Sequence, residues 1–263
     1  KVKPAGDVVL SFEEGGCIAY VYKQVGNRVW VGEALVSLEN GDISAQLAQA
    51  RADAKAQAAK LLELKNGARP EDILVSEVDV ENATNDVIND IKGGYVTSDD
   101  AIRNKVDQLM SNPRSSSPQI NFTVTDSKLK NDVETGRQVI ESMLVLWNAS
   151  ISNLGSTQDV LPYAVEAKSN LQTVQNYLDI VAMIVNSLQS NSTLSSAAVD
   201  AYKAAVLSGR TNVTSVLDSL AASVEKLRTA QSKLALKKAG TVKEQIDAQE
   251  AAVESADASV LNL

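Results

Sequence analysis

Two passages near opposite ends of this 263-residue chain repeat one another. The first reads Leu62-Glu-Leu-Lys-Asn-Gly67-Ala-Arg-Pro-Glu71-Asp-Ile73 and continues through Glu77, Val80, Glu81 and Ala83. The second reads Leu234-Ala-Leu-Lys-Lys-Ala-Gly240-Thr-Val-Lys-Glu244-Gln-Ile246 and continues through Glu250, Val253, Glu254 and Ala256. From the glycine onward the offset is a constant 173 residues. Each copy is a helix–glycine–helix unit, and a repeat constrains how the chain between its copies can be arranged. The pair predicts an outgoing and a returning arm of one antiparallel helical structure, a spacer or docking device rather than a pocket.

Composition points the same way. Aromatic residues make up 4% of the chain, with two Phe and two Trp, so a wide core is not expected. Helices rich in Ala and Leu with polar faces bury narrow seams, as in coiled coils and slender bundles. The net charge of −8 argues against nucleic acid as a partner. Histidine is absent and Cys17 is the sole cysteine, which removes the common zinc sites and any Ser–His or Cys–His pair. Cys17 opens the run Ile18-Ala-Tyr-Val21 and is expected to be a small buried apolar residue. Apolar runs such as Val181–Val185 are too short to span a membrane, and no secretory signal opens the chain, so a soluble chain is expected. The abrupt start at Lys1-Val-Lys-Pro and the ladder stopping at Leu263 read as a piece of a longer polypeptide.

Residues 7–39 form the β region of the sequence. Val8–Phe12, Cys17–Tyr22, Val29–Val31 and Ala34–Leu38 read as strands, with turns at Glu13–Gly16 and Val25–Asn27 and a break at Gly32. Asp42 is placed to cap the helix that follows. From there the period becomes helical. Ile43, Leu47, Ala50, Ala54, Gln57, Leu61 and Leu64 step by four and three. Asn66-Gly67 stops this helix, Pro70 opens the next, and Gly93-Gly94 is expected to break that one. Near the other end, Val213, Leu217, Leu220, Val224, Leu227, Gln231 and Leu234 form a second ladder. Gly240 interrupts it, and Ile246, Gln249, Val253, Ala256, Val260 and Leu263 resume it.

Between the arms the sequence predicts a short helix over Asp99–Met110, a Pro/Ser-rich loop over Ser111–Pro118 and an extended piece over Asn121–Thr125. Helices follow at about 126–153 and 158–189, and a further one from about 194 merges into the distal arm.

No residue stands out as catalytic, cofactor-binding or metal-ligating. The acidic pairs Asp99-Asp100 and Glu13-Glu14 have no second acid, histidine or cysteine placed to join them and read as solvated or turn residues. Gly15-Gly16 and Gly93-Gly94 lack the further glycines and the strand–helix context of a phosphate loop.

The most specific signal is the β region joined to the first arm. The turn Val25-Gly26-Asn27, followed by Gly32 and Leu35, resembles half of a biotinyl/lipoyl-like domain. Asp42 stands after Glu39-Asn40-Gly41, where a carrier domain would present a modifiable lysine, so a swinging-arm role fails on that residue. A lipoyl-like half running into a helical hairpin resembles the HlyD-type membrane fusion proteins, the periplasmic adaptors of efflux and type I secretion systems. The turn Gly67-Ala-Arg-Pro-Glu-Asp-Ile73 and the returning stretch Ala248–Ala256 carry the same resemblance.

The resemblance covers about residues 7–91 and 212–263. It implies a mainly α fold, an elongated antiparallel hairpin with a small β lipoyl-like half domain at its base and an inserted helical bundle. The segments are then 1–41 for the β half, 42–94 for the outgoing arm, 95–210 for the insert and 211–263 for the returning arm. A second lipoyl half, a β-barrel and a membrane-proximal domain are expected beyond Leu263. The implied function is a non-catalytic adaptor without a cofactor, homo-oligomeric, in the periplasm or cell envelope and anchored to the inner membrane. Its partners would be an RND- or ABC-type transporter and an outer-membrane channel. The insert occupies the hairpin tip that some adaptors use against such a channel. The alternative reading is a ligand-sensing or scaffolding helical bundle of an envelope protein, centred on residues 98–210.

Overall fold

The computed structural model describes Gly6 and residues 8–13 and 15–263. The expected features at Lys1–Pro4, Asp7 and Glu14 lie outside the described residues. The fold is mainly α, with six long helices and two short β ladders among the described residues. It divides into two compact units, residues 1–67 with 240–263, and residues 68–239.

The first unit contains strands β1 (Ile18–Val21) and β2 (Val36–Leu38) and helices α1 (Gly41–Asn66) and α6 (Lys243–Leu261). The strands pair antiparallel, with Ile18 opposite Leu38, Val21 opposite Val36 and a bulge between Ile18 and Tyr20. Four strands were expected here and two form. Around Val29–Val31 the chain closes a turn of its own. The Glu33 N–H donates to the Trp30 carbonyl at 3.1 Å, and the Trp30 N–H donates to the Glu33 carboxylate at 3.1 Å. Gly32 supplies the positive φ of 86° that this turn needs. Val8–Phe12 has no ladder to join and is not a strand. Cys17, expected to be buried, is exposed, because a two-stranded ribbon has no second layer to cover it. Asp42 does not cap α1. It lies inside the first turn, where its charge suits the helix dipole.

The four-three ladder of α1 matches its burial. Leu47, Ala50, Ala54, Gln57, Leu61 and Leu64 are its half-buried or buried positions, while Ile43 is 51% exposed. On α6 the corresponding row is Ile246, Gln249, Val253, Ala256 and Val260. The two helices pack antiparallel along these rows. Gln249 is buried and donates from Nε2 to both the backbone carbonyl of Gln57, at 3.1 Å, and its side-chain oxygen, at 2.8 Å. A satisfied polar pair inside an alanine-lined seam fixes register more than it adds stability. At the end of the pair, Gly67 and Gly240 both take positive φ, 66° and 73°, and a Cβ on Gly67 would lie 3.8 Å from the Gly240 Cα.

The second unit is a four-helix bundle of α2 (Pro70–Asp99), α3 (Ser127–Ile151), α4 (Leu161–Ser187) and α5 (Ser196–Ala239). Between α2 and α3 lie a π-helical turn (Asp100–Val106), a 3-10 turn (Asp107–Leu109) and a small hairpin of β3 (Met110–Ser111) and β4 (Gln119–Ile120). The Pro/Ser-rich segment is the loop of this hairpin. The extended piece expected over Asn121–Thr125 is instead β4, just before it, and the short helix expected over Asp99–Met110 is the π and 3-10 pair.

Gly93-Gly94 does not break α2. A methyl on Gly94 would stand 3.3 Å from a Leu171 methyl and 3.5 Å from the Trp147 ring, so this glycine admits neighbours instead of ending the helix. Gln231, read as part of the distal ladder, is exposed, and half-buried Ala230 takes its place in the seam.

Charge directs the pairing of α2 with α5. Between Pro70 and Ile91, α2 carries seven carboxylates and no Lys or Arg, whereas α5 from Lys226 to Lys238 carries five cations and no acid. Asp86 pairs with Lys226 at 2.6 Å and Glu77 with Lys238 at 2.7 Å. Each exposed pair contributes little to stability, but the matched signs disfavour other pairings.

Gly136 on α3 makes a stricter demand. A Cβ there would lie 2.9 Å from two ring carbons of Tyr177, which is buried and donates its hydroxyl to the Val133 carbonyl at 3.2 Å. Gly136→Ala gains about 1 kcal/mol of helix propensity but forces apart a ring that is held in place, which costs about 1–3 kcal/mol. A net loss of stability is expected in urea unfolding. A stabilised variant would show that Tyr177 yields without cost.

Candidate functional site

The sequence offered no catalytic residue, and the ionisable cluster that the fold draws inward lies where the π-helical turn meets α3. Val133, Arg137, Ile140, Leu144, Trp147 and Ile151 form the buried row of α3, so Arg137 occupies a position otherwise given to apolar side chains. Its Nε donates to Asp107 Oδ1 at 2.6 Å, and its Nη2 donates to Asp107 Oδ2 at 3.1 Å and to Glu141 Oε2 at 2.9 Å. Glu141 also accepts from Arg103 Nη2 at 2.8 Å, and Arg103 Nη1 pairs with Asp99 at 3.1 Å. Arg114 approaches Asp107 from the hairpin loop at 3.4 Å. Arg137 Nη1 and Arg103 Nε are buried and have no protein partner among the described residues.

Three guanidinium groups and three carboxylates thus join α2, the π-helical turn, the 3-10 turn, the loop and α3. Arg suits this task because its planar fork binds a carboxylate through two donors and keeps its charge when buried. Asp99 and Asp100, read from sequence as solvated, are half-buried. Asp99 belongs to the cluster, and Asp100 pairs with Lys105 at 3.0 Å. The sequence signal was available in the spacing: an arginine standing within a four-three apolar ladder.

Burial pushes the Glu141 carboxyl up, but the hydrogen bonds and charges of Arg137 and Arg103 outweigh it and hold the group below the usual carboxylate range. Glu134 behaves alike. Burial raises it, and Lys130 together with the Ile120 N–H, which donates to it at 2.8 Å, brings it below that range. A carboxylate with a depressed folded pKa contributes stability that is present above its unfolded pKa and lost as pH falls through the folded value. The bundle is therefore expected to hold its stability from neutral pH down to about 4.5 and to lose it below. Thermal unfolding followed through Trp147 fluorescence across pH, in a Trp30→Phe background, checks this, and a loss already complete by pH 6 would contradict it.

The cluster holds no nucleophile, and its charges balance. Chemically it can clamp the π-helical turn against α3. Burial raises the Tyr177 phenol well above its ordinary range, which keeps it neutral. Among the described residues no group of three or more His, Cys, Asp or Glu could hold a metal ion, and no helix is long and apolar enough to cross a membrane.

The remaining surface features are open. In the first unit, Ile18, Tyr20, Val21 and Trp30 are 62%, 61%, 51% and 71% exposed, an apolar concentration unusual for a ribbon facing water. In the second, a groove of about 290 Å³ runs between the start of α4 and α5. No protein-family model matches the chain, and neither a curated protein nor a solved structure is similar to it at a significant level.

Proposed function

We propose that the chain is part of a non-catalytic adaptor of the HlyD membrane-fusion type, which oligomerises in the cell envelope and links an inner-membrane transporter to an export channel. The observation that carries this reading is the route of the chain in the first unit. The two-stranded ribbon of β1 and β2 leads directly into α1, and α6 returns along α1. An adaptor hairpin needs that out-and-back path, and its lipoyl-like base needs a second β half to cover the residues left exposed at Ile18, Tyr20, Val21 and Trp30. The ionic cluster then braces the helices of the second unit instead of serving chemistry.

Two measurements test the reading. Leu47 and Val260 are both half-buried on facing helices. In a Cys17→Ser background, Leu47→Cys/Val260→Cys is expected to form an intrachain disulfide on oxidation, and failure of the monomer to cross-link counts against the hairpin. Recovery of the full-length polypeptide from envelope membranes, together with a transporter subunit, tests the adaptor role. A small molecule bound within residues 98–210, with no transporter associated, would replace it with a sensor.

A further inference from the structure

The outward side of α2, away from the α5 seam, carries a stripe at helical spacing: Glu71, Leu74, Val75, Val78 and Glu81. The three apolar members are 60%, 59% and 47% exposed, and neither glutamate has an ion-pair partner among the described residues. Elsewhere on the same unit, the α4/α5 groove is lined by Leu161, Val165, Leu217 and Val224, with Lys168 and Arg228 beside them. These two cations are likewise without an ion-pair partner among the described residues, and Glu225 is the one acid on the lining. We propose that the α2 stripe of one copy of the chain docks in the α4/α5 groove of a second copy.

The complementarity is both apolar and electrostatic. An amphipathic helix lying in an apolar groove is a standard recognition mode, read as anchors at i, i+3, i+4 and i+7. Leu74, Val75 and Val78 are the middle of that pattern, and the acids bracket them over about 15 Å of helix, at ~1.5 Å per residue. Gln175 faces Thr214 and Asp179 faces Arg210 across α4 and α5. That antiparallel register places Lys168 and Arg228 about two turns apart, roughly 10 Å along the groove. Long side chains span the difference.

A symmetric stripe-to-stripe dimer is disfavoured, since α2 has seven carboxylates and no cation between Pro70 and Ile91. The contact is therefore head-to-tail, and such contacts build rings or open chains instead of closed pairs. It gives the self-association of the adaptor reading a location, but it stands on the second unit alone and requires no transporter.

The test is sedimentation velocity of the full chain over a concentration series. Wild type is expected to self-associate, more weakly as salt rises. Glu71→Lys/Glu81→Lys and, separately, Lys168→Glu/Arg228→Glu are each expected to weaken association on the order of a hundredfold, because like charges then face each other. An equimolar mixture of the two variants restores it, since each stripe again meets a groove of opposite sign. All four positions are exposed, and an unchanged helical circular dichroism spectrum verifies folding. A wild-type monomer at every concentration, or association that survives both swaps, overturns the proposal. Neither result bears on transporter recovery, which tests the adaptor role separately.

Discussion

Arg137→Ala is expected to destabilise the helical bundle by about 3–5 kcal/mol, the range for removing one member of a buried ion pair. The side chain is fully buried and makes three charge-assisted hydrogen bonds, two to Asp107 and one to Glu141. Without it, Asp107 keeps only the distant Arg114, and its carboxylate is left in an environment that cannot solvate it. The cost thus comes mainly from the partners left behind. Arg137→Met/Asp107→Leu removes both charges and fills the space, so it is expected to recover most of the loss. Denaturant unfolding of wild type, single and double variants, followed through Trp147 in a Trp30→Phe background, measures both. A single variant within about 1 kcal/mol of wild type would mean that water reaches the cluster and satisfies Asp107.

The second large effect is expected at Trp147, where truncation to alanine costs about 3–5 kcal/mol. This ring sits beside Tyr95 and Gly94 of α2. It meets Tyr95 edge-on with centroids 5.8 Å apart, and beside Gly94 it shares space with Leu171 of α4 and Val216 of α5. No helix can move inward to fill the void without losing its own seam, so little relaxation is available. The indole N–H is buried without a protein partner among the described residues. Trp147→Phe therefore gives up area but also removes an unsatisfied donor, and is expected to cost less than half as much as Trp147→Ala. Helical circular dichroism during urea unfolding separates the two variants. Equal losses would show that the N–H has a partner, such as a bound water.

How much of this was legible in sequence depends on whether a feature is local. The ladder from Leu47 to Leu64 could be read because a helix repeats its inward face every three or four residues, whatever it packs against. The stops at Gly67 and Gly240 were equally legible, since each needs a backbone conformation that glycine adopts freely. Strands at Val8–Phe12 and Val29–Val31 were over-read. A β-branched run has strand propensity, but a strand exists only where another backbone pairs with it. Gly93-Gly94 was misread for a related reason. Propensity marks a glycine pair as a break, while the space required by Trp147 and Leu171 makes Gly94 a packing residue.

The ionic cluster shows the limit most clearly. Arg137 could have been noticed as an arginine in an apolar ladder, but nothing in the sequence connects it to Asp107 or joins Arg103 to Glu141. Those partners meet because the π-helical turn rotates its side chains out of the α-helical phase, and that turn was read as an ordinary short helix. By itself the sequence determined the mainly α class, most of the seam positions and the glycine joints, since all three follow from backbone geometry over a few residues. The tertiary structure decided which carboxylates are buried, which glycine carries a ring and which apolar residues remain uncovered. Burial is a property of the surroundings, and those surroundings are assembled from segments far apart in the chain.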